Sequence, residues 1–326
     1  MQISHAERIE ALNSKPVSPI QPEDHIAEAL RKMAHCEYIR LLEQEIEIHH
    51  ERNIMSLHDL VATTGRLQNV LTLLSPYISE KAAQRFEKRL SKLTRRLETI
   101  RLLDVMMRDL LVMGEGSTDR RTISSLIARL DAQRLVGKQK LYSYLSSKKY
   151  REFLDRFQLM LTQPLDDVLE NNNADEPHRL EHVLPVLVME HLAQIRHLST
   201  TPDGFTSDNC ATLYRQLDLL LDTLNGMYSE PNDAPLLFVE HAQKLHDTLY
   251  DVVQLTRRLA FVIHLPRINL ENDQIGVMRV YRDDLRHRRE NMLADVPDAW
   301  RQFDTSGTYT ALAITVMAGT QDIALQ

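Results

Sequence analysis

The chain is poor in the residues that break helices or build metal and disulfide frameworks. Its 326 residues include two cysteines, nine glycines and one tryptophan, and aromatic residues make up only 6%. Cys36 and Cys210 match no zinc-ligand spacing and cannot staple a small fold, so they read as ordinary small hydrophobes of a reducing compartment. There is no glycine-rich phosphate loop, no serine or cysteine nucleophile in a recognisable setting and no Cys-His zinc pattern. This argues against an enzyme, and no cofactor is implied. Long apolar runs are also missing. The longest near the end, Ala311 to Ala318, falls well short of the roughly 20 residues needed to span a bilayer. No basic segment followed by an apolar core opens the chain, so the expectation is a soluble, cytoplasmic protein without a membrane partner.

What is abundant is Leu, Ala, Glu, Arg, Gln and Met, whose straight side chains lose little rotamer freedom in a helix. A hydrophobic share of 43% suffices for a sizeable core. Helical patterning runs from Glu23 to about Arg52, from Leu57 to Leu74, and from Ser79 toward Met113. Further helices are predicted near 118–146, 149–161, 178–198, 208–227, 236–264 and 273–303. Pro16, Pro19 and Pro22 mark residues 1–22 as a flexible lead-in, and 304–326 is a tail whose structure the sequence leaves undetermined, with weak strand-like alternation over Thr308–Met317. The Asn171-Asn172-Asn173 stretch is the best linker. The expected fold is all-α, in two helical bundles of about four helices each, over 23–165 and 178–303, related by a loose internal repeat.

The net charge of −7 hides an asymmetry. Residues 31–156 carry 24 Lys/Arg against 16 Asp/Glu, whereas 166–273 carry 7 against 18. A polyanion should prefer the first half. Placed at about 100° per residue, Lys81, Arg85, Lys88, Arg89, Lys92, Arg95 and Arg96 form one stripe, opposite Phe86, Leu90, Leu93, Leu97 and Ile100. Such a stripe is often only a solvated helix face. Arg101 differs, because it falls on the apolar side, with Asp104 and Arg108 on the same face at i+3 and i+7. A charge there needs a partner: an internal pair with Asp104, or a wet channel with Asp104 as orienter.

Leu57-His58-Asp59-Leu60, Arg66-Leu67 and, a helix later, Leu97, Arg101 and Asp104-Val105 resemble the CHAD family, the conserved histidine α-helical domain. The family writes these helices as Leu/Val-His-x-x-Arg-x-x-x-Arg-Arg-Leu-Arg and Leu-Gly-x-x-Arg-Asp-x-Asp-Val. Its other arginines fall here on Val61, Gly65 and Gln68, its glycine on Glu98 and its first aspartate on Leu102. In the second half Tyr214 stands where the histidine signature repeats, and Leu217 where an arginine is usual. The resemblance implies binding of inorganic polyphosphate, or a related polyanion, along a basic channel between the bundles. His58, Arg66 and Arg101 are the first-rank candidates, with Asp104 as orienter. Lys92, Arg95, Arg96, Arg108, Lys148, Lys149 and Arg151 form the second rank.

Four rival readings stand beside this one. A divergent scaffold with a protein partner would keep the helices and lose the ligand. His58-Asp59, with His35 and Asp104 or Asp109, also fits a metal-dependent HD phosphohydrolase, although nothing in the spacing brings those four together. Glu47-x-x-His50 has the spacing of half a di-iron site, without a second copy. The basic stripe lacks the interleaved aromatics and reading motifs of a nucleic-acid binder, which disfavours that partner.

Overall fold

The computed structural model describes residues 4–14, 17–49, 54–115, 118–165, 168–169, 178–199, 204–227, 236–265 and 270–318. Among these every element is helical: α1 (His5–Asn13), α2 (Ile26–His49), α3 (Ile54–Leu74), α4 (Glu80–Gly114), α5 (Arg120–Leu145) and α6 (Lys148–Thr162). They are followed by α7 (Leu180–Ser199), α8 (Ser207–Met227), α9 (Leu236–Ile263), α10 (Asn272–Phe303) and α11 (Ser306–Ala318). The fold class is all-α, as composition and periodicity predict, and the helix limits from α6 to α10 fall within two residues of the sequence reading.

The chain forms two compact units, Met1–Arg101 with Leu135–Val183, and Leu102–Arg134 with Leu184–Gln326. This departs from a division at 165–178. The boundaries fall inside α4, α5 and α7, so one continuous helix can serve first one core and then another. The Asn171–Asn173 linker lies outside the described residues.

In the first unit, α4 buries Phe86, Leu90, Leu93, Leu97 and Ile100, the predicted apolar side. A cluster of rings from α2, α4 and α6 fills the centre, with Phe86 and Tyr38 each 5.1 Å from Phe157. Helix α6 starts at Ser147, whose hydroxyl accepts from the Tyr150 N–H, and buries Tyr150, Phe153, Leu154 and Phe157 at helical spacing. Gly137 of α5 lets the two helices approach closely: a Cβ there would lie 3.2 Å from Ile100 Cγ1, so that side chain would have to give by a few tenths of an ångström.

Residues 1–22 are not the plain lead-in that three prolines suggest. Ser4 and Glu7 form a reciprocal capping box that starts α1, and α1 buries Leu12 and Arg8. The Arg8 guanidinium reaches Asp155 and donates to Gln158 Oε1 at 2.9 Å, while His5 meets the fully buried Glu45 carboxylate at 2.7 Å. Glu45 also accepts from the buried Tyr150 hydroxyl. These polar pairs tie α1 to α2 and α6, although the short helix has little apolar surface of its own.

In the second unit, Leu103, Met106 and Leu110 of α4 and Ile123, Leu126 and Leu130 of α5 share a core with Leu255 and Leu259 of α9 and Val277, Tyr281 and Leu285 of α10. The buried apolar side of residues 102–130 is thus matched by helices far along the chain, whereas Leu111 and Val112 stay exposed. The described part of the expected tail is helical. Helix α11 covers the segment with strand-like alternation, burying Thr308 and Leu312 against α9, with His241 Nδ1 2.8 Å from Thr308 Oγ1.

Candidate anion-binding site

Helices α3 and α4 carry the candidate positions of the first unit. His58 is half-buried near the start of α3, and Val61, Gly65 and Gln68 follow it along one face. Gln68 spans to α4: its amide donates to Ser91 Oγ at 3.3 Å, and the Thr94 hydroxyl donates back to its oxygen at 3.1 Å. Ser91, Thr94, Glu98 and Arg101 are themselves spaced i, i+3, i+7 and i+10 on α4. Because the chain reverses at the 3-10 turn Ser75–Tyr77, positions before Gln68 on α3 run toward positions after Thr94 on α4. A neutral amide and two hydroxyls therefore occupy one end of this face, and an acid–base pair follows.

That pair is Arg101 with Glu98. Arg101 is 6% exposed, Glu98 18%, and Nε donates to Glu98 Oε2 at 2.8 Å. Burial demands compensation of the guanidinium, and a carboxylate one turn back on the same helix supplies it. Asp104, the expected orienter, is engaged elsewhere. It belongs to the second unit, where Arg134 donates to it at 3.2 Å and also meets Asp131 at 2.6 Å. Arg108 is exposed in that same unit. The expected grouping of Arg101, Asp104 and Arg108 is thereby corrected: the three in-phase positions are divided between two units, Arg101 in the first and Asp104 with the exposed Arg108 in the second.

Arg66 is likewise compensated. Its Nε donates to Glu37 Oε2 at 2.9 Å and its Nη2 to Thr63 Oγ1 at 3.1 Å. Glu37 also pairs with Arg40, leaving this cluster one net positive charge at neutral pH.

The stripe on the outside of α4 is different. Lys81, Lys88, Lys92 and Arg95 are exposed, with Arg85, Arg89 and Arg96 half-buried. Arg96 and Lys92 lie over the Tyr144 ring of α5, at 4.7 and 5.4 Å from its centre, and the Tyr144 hydroxyl donates to the Arg89 carbonyl at 2.9 Å. Burial pushes the Tyr144 phenol up to about 12, against the pull of Arg89 and Arg96. It therefore stays neutral and serves as a platform that orients two cations. Among the described residues Lys88, Arg89, Lys92 and Arg95 have no carboxylate partner. Four residues beyond Tyr144, Lys148 and Lys149 are exposed and Arg151 half-buried in the first turn of α6, though Lys148 approaches Glu152 at 4.0 Å. Cations are disfavoured at that helix end, so an anion would relieve both them and the helix dipole.

No three metal-ligating side chains converge among the described residues, so His35, His58, Asp59 and the aspartates of α4 are not assembled into an HD-type centre. The second His-Asp pair has a different setting. His246 Nε2 is 3.1 Å from Asp218 Oδ1 and Nδ1 3.3 Å from Asp247 Oδ1, and its ring lies 4.9 Å from that of Tyr214. Burial works to lower the pKa of His246, but the bonds to Asp218 and Asp247 outweigh it and raise the value.

Sequence reasoning missed Glu37, Glu98 and Tyr144. Glu98 was readable, since it precedes Arg101 by three residues. Glu37 was not, because 29 residues separate it from Arg66.

An all-helical protein with histidine and arginine signatures on adjacent helices of its first unit defines the class. The chain belongs to the CHAD domain family, whose model matches residues 34–249. Two solved structures share the fold. The CHAD domain from the plant Ricinus communis superposes with a TM-score of 0.62 at 13% identity, covering 91% of this chain and 95% of that one. PptA from Streptomyces chartreusis gives 0.57 at 16% identity, covering 87% of this chain and all of that one. No curated protein matches the sequence.

Proposed function

We propose that the protein binds inorganic polyphosphate or a related polyanion, without catalysis and in the cytoplasm, through the basic surface of its first unit. Lys92, Arg95 and Arg96 carry most of the binding, with Lys148, Lys149 and Arg151 beside them and His58, Arg66 and Arg101 in support. One observation carries this reading: Lys92 and Arg96 are held over Tyr144, within a stripe whose exposed members have no carboxylate partner among the described residues. Oriented cations are suited to a chain of phosphates, and arginine forks can donate two bonds to one phosphate. The resemblance stated above supplies the ligand class. No helix among the described residues is long and apolar enough to cross a membrane.

Retention of polyphosphate on the immobilised protein, measured across a salt series, tests the proposal. Lys92→Gln, Arg95→Gln and Arg96→Gln together should reduce the slope of log affinity against log salt by about 2, at roughly 0.7 per phosphate contact. A wild-type affinity no better than that of an unrelated surface of similar charge would refute it. That result would favour the second reading, a scaffold that has lost its ligand, to which the Glu98 carboxylate on Arg101 already points.

A further inference from the structure

The second unit carries a surface opposite in character to the α4 stripe. On α8 and α9 the rings of Tyr214, His246 and Tyr250 form a ladder, with Tyr214 4.9 Å from His246 and 6.0 Å from Tyr250. Carboxylates lie beside it, Asp218 on α8 and Asp247 on α9 at His246 and Asp222 at Tyr214, with the exposed Asp251 one turn beyond Asp247 and, among the described residues, Arg257 the one cation acting on Tyr214. Asp247 is 67% exposed and Tyr250 39%, and Asp251 is exposed too, so this is an open face. Tyrosine faces rimmed by carboxylates attract lysine and arginine, and the chain already makes that contact internally where Lys92 and Arg96 cover Tyr144.

The complementary surface lies on the same polypeptide. Lys88, Lys92 and Arg95 are exposed at i, i+4 and i+7 of α4, a row about 10 Å long. Among the described residues none of the three has a carboxylate partner. We propose that the acidic tyrosine face of α8 and α9 receives the basic α4 stripe of a second copy of this chain. The contact joins unlike patches, so it is head-to-tail and can grow beyond a dimer. A partner with this stripe is present at the same concentration as the face it fits, while the net charge of −7 opposes approach in other orientations. The inference rests on the reading of the stripe as an open cationic surface, and a polyanion bound there competes with the second copy.

Sedimentation velocity of the full chain at about 100 µM tests it, in roughly 20 mM and 300 mM salt. The weight-average sedimentation coefficient should rise with concentration at low salt and fall to the monomer value at high salt. Asp247→Lys with Asp251→Lys should remove the low-salt association, as should Lys88→Glu with Lys92→Glu. A mixture of the two variants should associate again, because each keeps the face the other has lost; that recovery also shows both are folded. Asp251→Lys alone leaves the His246 contacts intact and should weaken association. The Asp247/Asp251 variant should retain polyphosphate like wild type, which separates this inference from the ligand reading. Monomeric wild-type protein at low salt, or association untouched by reversing the acidic face, would overturn it.

Discussion

Glu98→Gln is the change that interrogates the candidate site most directly. The Arg101–Glu98 pair is largely buried, at 6% and 18% exposure, with 2.8 Å between Nε and Oε2. Removing one partner of a buried pair costs about 3–5 kcal/mol, because the other charge stays desolvated. Glutamine can still accept the Nε bond, and Glu98 retains some contact with water, so the expected loss is about 2 kcal/mol. Glutamine is preferred to the family's glycine at this position because glycine would add a helix penalty of about 1 kcal/mol. The loss should be conditional on ligand. A phosphate chain that reaches Arg101 replaces the missing carboxylate, and polyphosphate at about one hundred times its dissociation constant restores roughly 2.7 kcal/mol by mass action. Urea unfolding with and without polyphosphate measures both effects, and a salt series on binding should steepen by about 0.7 for one added phosphate contact. The reasoning fails if Glu98→Gln is destabilised but polyphosphate rescues it no more than it stabilises wild type. Arg101 would then be a structural cation out of the ligand's reach.

Three further outcomes are expected. Gly65→Arg should be tolerated, since a Cβ there meets nothing within 4 Å, and should gain about 0.5–1 kcal/mol in unfolding experiments while strengthening polyphosphate retention. The His246 contribution to stability should be full below about pH 6.5 and vanish as pH rises through its raised folded value; His246→Gln should flatten that limb of a stability-against-pH curve. Arg8→Ala should cost about 1–2 kcal/mol, because its bonds to Asp155 and Gln158 fasten α1, and should raise amide exchange over residues 5–13.

The helices were legible because periodicity is local. Leu213, Leu217, Leu220 and Leu224 mark α8 without any knowledge of its neighbours, and Pro76 shows where α3 must end. Helix α1 was obscured because prolines at 16, 19 and 22 set the reading of the whole lead-in and the Ser4–Glu7 capping box was passed over, and α11 because its threonines and alternating hydrophobes mimic a strand. The division into units was hidden for a different reason. Linker composition reveals a boundary between elements, whereas here the boundaries at Arg101 and Arg134 lie inside helices. In the candidate site, cations can be read from sequence but their neutralisation cannot when partners are distant, as Glu37 is from Arg66. Asp104 shows the converse error, since sharing a helix face with Arg101 did not mean sharing a core.

The interleaved second unit sets a problem of timing during synthesis. Leu103 to Leu130 emerge from the ribosome as an apolar helical hairpin, and 125 residues separate Leu130 from Leu255, the first of its core partners on α9. At about 5–20 residues per second, that hairpin waits roughly 6–25 seconds with its apolar side unpartnered. A nascent chain stalled or cut in the interval exposes this surface to aggregation or to a chaperone. A fragment ending near residue 165 would inherit the same defect, even though it encloses everything that the pattern of helices suggests is one complete bundle.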